Sequence, residues 1–125
     1  MEKTLSIPSP ISQKQIDDLL TQAIEGGSGY WCQFGDYKEP AGFQRNENIH
    51  YHVIDCVFQG STIEVQDCET SEKIGTLSLD SLESGIKLMV SKYPSLLASI
   101  VDGNWDAGDA DTFLQLCALG EVVFG

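Results

Sequence analysis

HYHVIDCVFQGSTIEVQDCETSEKIGTLSL, residues 50–79, is the stretch that decides the fold. His50 to Phe58 and Ser61 to Cys68 are rich in β-branched and aromatic residues, and they flank Gln59 and Gly60, a pair suited to a hairpin turn. Lys73 to Leu79 follows the polar turn Glu69 to Glu72 and predicts a further strand, so these residues are expected to form a three-stranded meander.

Upstream, Ser12 and Gln15 have the spacing of a capping box, and Ile16, Leu19, Leu20, Ala23 and Ile24 form one apolar stripe behind them. That pattern predicts a helix ended by Gly26 and Gly27. Tyr30 to Phe34 reads as a strand, and residues 36–48, with mixed charge, Pro40 and Gly42, as a surface loop. Downstream, Asp80 and Glu83 repeat the cap spacing, and Leu82, Ile86, Met89, Val90 and Tyr93 keep helical period up to Pro94. Gly85 inside that helix implies a close packing contact. Leu96 to Val101 adds a further helical turn. Asp109 is placed to cap a third helix bearing Phe113, Leu114 and Cys117 and ended by Gly120, with Glu121 to Phe124 as a final strand. The order α-β-βββ-α-α-β predicts an α+β fold, a mostly antiparallel sheet with its helices packed on one face. Residues 1–11 are expected to be a flexible leader and 12–125 a single domain.

With 125 residues, 42% of them hydrophobic, the chain is able to bury a core without metal or disulfide staples. Cys32, Cys56, Cys68 and Cys117 contain no CxxC pair, and residues 1–10 carry no apolar run of a signal or membrane span. Reduced thiols and a cytoplasmic location are therefore expected. The formal net charge is −12. Such a field repels phosphate backbones, which argues against direct nucleic-acid binding, and attracts basic protein surfaces.

His50 and His52 lie two apart on an expected strand, which would turn both imidazoles to one face as metal ligands. A third ligand is not fixed, Asp55 and Cys56 being the nearest, and the alternative is a polar, solvent-facing strand; no metal or cofactor is assigned. Cys56 shares the alternation of the two histidines without an acidic residue on that face, which argues against a catalytic thiol. Asp102, Asn104 and Asp106 match the first positions of a calcium loop, but Ala107 and Phe113 stand where that loop needs Gly and Glu. Asp106, Asp109 and Asp111 fit better as caps and charges at the start of the third helix. Gly26, Gly27 and Gly29 follow a helix, whereas a phosphate cradle precedes one.

Two stretches, EGGSGYWC at residues 25–32 and DAGDADTFLQLCALGEVVFG at residues 106–125, resemble the two ends of a family of small uncharacterised phage and prophage proteins. The sequence departs from that pattern at Cys117 and Leu119, where alanine and phenylalanine are usual. The resemblance brings no catalytic residues; it implies a protein acting in the bacterial host cytoplasm on host components. Small acidic proteins of that context include nucleic-acid mimics and sponges for nucleotide immune signals. The expectation is thus a non-enzymatic accessory protein that binds a basic surface of a host protein, with counter-defence as its role, through residues including Asp102, Asp106, Asp109 and Asp111. The alternative is a small-molecule module, an oligomeric nucleotide sponge, with Tyr30, Trp31 and Trp105 as stacking surfaces. A small enzyme or metal-binding protein stands third.

Overall fold

The computed structural model describes residues 9–125, so the expected leader lies largely outside the described residues. Ile11, at its end, is buried. Ser12 caps helix α1 (Gln13–Gln22) as its spacing predicts: its hydroxyl accepts the Gln15 N–H at 3.1 Å, and the Gln15 side chain accepts the Ser12 N–H at 2.8 Å. Ile16, Leu19 and Leu20 on the apolar stripe are buried. The helix runs on into a π-helical turn, Ala23–Gly27. A Cβ on Gly27 would lie 2.7 Å from the Ala107 carbonyl oxygen, so a close backbone approach fixes glycine there.

The chain is α+β. Strands β1 (Cys32–Phe34), β2 (Ile63–Asp67) and β3 (Lys73–Leu77) form one antiparallel sheet in that order, with Phe34 opposite Val65 and Val65 opposite Gly75. Ile63, Val65 and Leu77 are buried on one face, while Gln33, Glu64, Gln66 and Thr76 alternate toward solvent. The buried face carries the last helix: a side chain at Gly75 would collide with the Ala118 carbonyl.

The expected meander is corrected at its first member. His52–Phe58 is a helix, α2, and the third strand of the sheet is β1. Ile54, Val57 and Phe58 fit a helical stripe as well as a strand, and Asp55 and Cys56 between them are buried as well, so no polar face marks the period. Five consecutive buried residues, Ile54 to Phe58, leave no periodicity to read. Gln59 and Gly60 form no hairpin turn. Gly60 has φ +113°, its N–H bonds Val57 O at 3.0 Å and the Ser61 N–H bonds Cys56 O at 2.8 Å, the paired bonds of a glycine-capped helix end. The loop before α2 is anchored by buried Asp55, which accepts from Arg45 Nη1 (2.8 Å), the Asn46 N–H (2.7 Å) and Gln59 Nε2 (2.7 Å).

Helix α3 (Leu79–Lys92) starts two residues earlier than Asp80 predicts, because Ser78 and Ser81 cap it reciprocally. Pro94 opens helix α4 (Pro94–Asp102), extending the turn expected at Leu96 to Val101. Helix α5 (Ala107–Leu119) starts three residues earlier than an Asp109 cap predicts, because Asp106 caps it and Asp109 takes the third position of the capping box, and Gly120 ends it with φ +77°. Gly85 makes the close contact its presence implies: a Cβ there would lie 2.7 Å from Cys117 Cα. The expected final strand does not form. Glu121 to Phe124 enters no sheet, because the Gln115 side chain takes the bonds a neighbouring strand would supply, accepting from Val123 N at 2.8 Å and Phe124 N at 2.9 Å. Among the described residues no helix is long and apolar enough to cross a membrane.

Candidate functional site

The residues singled out from sequence do not converge on one surface. Tyr30, Trp31 and Asp111 meet through the buried Asp111 carboxylate, which accepts from Ser28 Oγ (2.7 Å), Tyr30 Oη (2.6 Å), Trp31 Nε1 (2.7 Å) and Gln115 Nε2 (3.1 Å). Trp31 is 3% exposed and stacks on Phe124 with ring centroids 4.9 Å apart. Four donors satisfy a carboxylate without any cation. This knot ties residues 28–31 to residues 111–124, so the stretches 25–32 and 106–125 are packed together. Trp105 is half-buried against the core, away from solvent on one side. Asp102 and Asp106 are exposed, and Asp106 and Asp109 cap α5 reciprocally at 2.9 and 3.1 Å.

His50 and His52 part company, correcting the expectation of one strand face: His50 lies before α2 and His52 is its first residue. His50 Nδ1 stands 2.8 Å from Asp17 Oδ2, and Asp17 is buried on α1 with Thr21 Oγ1 3.3 Å from its other oxygen. The pair sits in an open cleft of about 540 Å³ lined also by Gln13, Lys14, Asn46 and Asn48. Asp18, next in the helix, is held by Lys14 at 3.2 Å.

His52 has its own set of partners. Tyr37 Oη is 2.9 Å from Nδ1, Glu39 Oε2 is 2.7 Å from Nε2, and Phe43 packs edge-on. Cys56, one turn on, places Sγ 3.8 and 3.7 Å from the two ring nitrogens. The acidic orienter that strand alternation leaves out is supplied by the loop, through Glu39. The set has the membership of a Cys–His–acid triad without its alignment, since the sulfur stands equally far from both nitrogens while Tyr37 and Glu39 hold them. Burial first, then the charges of Glu39 and Asp55, push the Cys56 thiol up against a smaller pull from Arg45. Both ring nitrogens have partners, Nε2 in Glu39 and Nδ1 in Tyr37, and the ring pins the loop to α2.

No protein-family model, curated protein or solved structure matches the chain.

Asp17, Asp18, Tyr37 and Glu39 escape the sequence reading. Asp18 lies on the polar side of α1 and Asp17, though buried, interrupts its apolar stripe, while Tyr37 and Glu39 lie in a loop with no period; His50 is visible, but its partner is 33 residues away.

Proposed function

We propose that this protein is a non-enzymatic accessory protein that binds a basic surface of a partner protein, as the resemblance to phage and prophage proteins implies for a host target in the bacterial cytoplasm. The observation that carries the reading is where its acid stands. Two carboxylates, Asp55 and Asp111, are buried with internal partners, and Asp106 and Asp109 cap a helix, so their charge serves the fold. Asp102 and Glu121 do not. Asp102 ends α4, which has no basic residue in its last turn, and Glu121 follows the cap of α5; both are exposed. An anion at a helix C-terminus opposes the helix dipole by about 0.3–1 kcal/mol, so these charges cost the fold and are available to a partner. The raised thiol of Cys56 and the fully bonded Asp111 support binding over catalysis.

The test is capture of a partner from host lysate at low and high salt, repeated with the Asp102→Asn, Glu121→Gln double variant. Retention should fall with salt and with the double variant. Capture indifferent to both would remove the acidic mechanism.

A further inference from the structure

Each buried carboxylate has a different degree of compensation. Asp55 faces the Arg45 guanidinium, a backbone N–H and the Gln59 amide. Asp111 receives four donors. Among the described residues Asp17, 1% exposed, has only a hydroxyl at 3.3 Å and the ring of His50, whose side chain is 51% exposed. A buried anion with so few donors is costly unless a cation stands beside it. Asp17 and His50 also line the open cleft, and Asp18 brings a second carboxylate beside them: one ligand atom from each of Asp17, Asp18 and His50 lies within 4.8 Å of the others.

We propose that Asp17, Asp18 and His50 form a binding site for a divalent transition ion of the zinc class at the mouth of this cleft. Ligand atoms about 2.1 Å from such an ion stand about 3.0–3.4 Å apart, depending on geometry. Asp17 Oδ2 and His50 Nδ1 are already 2.8 Å apart, so the pair need only open slightly to take the ion between them. The ion replaces the proton that the two atoms share, and that proton leaves to water. Lys14, which holds Asp18 in the absence of metal, is 78% exposed and held by a surface ion pair of little strength, so it is readily displaced. Water fills the remaining positions. The imidazole nitrogen selects zinc, cobalt or nickel over calcium and magnesium, which take oxygen ligands. The net charge of −12 raises the local concentration of any cation. The site needs no partner protein and stands or falls apart from the reading above.

Calorimetric titration of the full chain with Zn²⁺, Co²⁺, Mg²⁺ and Ca²⁺ is the test, with circular dichroism to confirm that each variant is folded. The expected result is one Zn²⁺ or Co²⁺ per chain, a higher melting temperature with Zn²⁺, and no response to Mg²⁺ or Ca²⁺. His50→Ala and Asp18→Asn, both at positions open to solvent, should each weaken Zn²⁺ binding by at least about tenfold, and His52→Ala should leave it unchanged. Three results overturn the proposal: no Zn²⁺ binding by the unmodified chain, binding by folded His50→Ala as tight as by the unmodified chain, or a sulfur charge-transfer band in the Co²⁺ spectrum, which would place the ion on a cysteine.

Discussion

Asp111 shows how a single carboxylate joins residues 28–31 to helix α5. It accepts from a serine, a tyrosine, a tryptophan and a glutamine, so Asp111→Asn keeps the shape but turns an amide donor toward donors. Leaving buried donors without an acceptor costs about 1–3 kcal/mol. The variant should lower the urea midpoint accordingly with an unchanged denaturant slope, and an unchanged midpoint would show that the knot contributes nothing. The same carboxylate shapes the alkaline limit. Burial first, then the hydrogen bond and charge of Asp111, push Tyr30 from 10.0 to about 12, and burial with Asp111 and Cys68 pushes Cys32 from 9.0 to about 12. Between those values the unfolded chain has released protons that the folded chain still holds, so stability declines as pH rises from about 9 to about 12. Tyr30→Phe should make the upper part of that decline shallower. Urea midpoints measured across the range check it, and a flat profile would contradict the shifts.

Gly85 on α3 sets how closely α3 and α5 approach. A Cβ there would meet Cys117 Sγ at 2.5 Å, but also Cys117 Cα at 2.7 Å and N at 2.8 Å, so the obstacle is backbone and not only a side chain. Gly85→Ala should destabilise the protein by about 1–3 kcal/mol, outweighing the gain in helix propensity. Adding Cys117→Ala should not restore the loss; rescue in thermal unfolding would mean that the sulfur alone sets the spacing. This contact was legible in the sequence, as were the Ser12 cap of α1 and the acidic start of α5, because each depends on residues three or four apart or on one glycine. Helix α2 was not. Ile54 to Phe58 are buried without a break, Asp55 among them is paired with Arg45 ten residues away, and Gly60 signals a helix end and a hairpin turn equally well. The last segment was misread for a related reason: Glu121 to Phe124 has strand composition, and only the position of Gln115 reveals that a side chain takes the place of a neighbouring strand. The site followed the same rule, with His50 visible and Asp17, its partner 33 residues away, buried on α1.

At the scale of the whole molecule the net charge of −12 acts on folding and binding with opposite signs. Like charges at the surface repel and favour expansion of the compact state, whereas the same charges attract a basic partner. The Debye length shrinks from about 30 Å at 0.01 M salt to about 8 Å at 0.15 M, so added salt weakens both effects. Exposed acids outside any cap, such as Asp36, Asp80, Asp102 and Glu121, carry the repulsion, while the internal contacts of Asp55 and Asp111 are shielded from ions by burial. Sodium chloride should therefore raise the melting temperature of the free chain across this range while reducing its affinity for a basic partner. Asp102→Asn with Glu121→Gln should imitate salt in both respects, raising the melting temperature at low ionic strength and narrowing its dependence on salt. Calorimetric scans at 0.01 M and 0.15 M salt, beside binding measured at the same two concentrations, separate this account from one in which the charge only keeps the chain in solution. If salt stabilises the chain and leaves binding untouched, the acid is a solubility device; if both respond in opposite directions, the exposed carboxylates form the working surface.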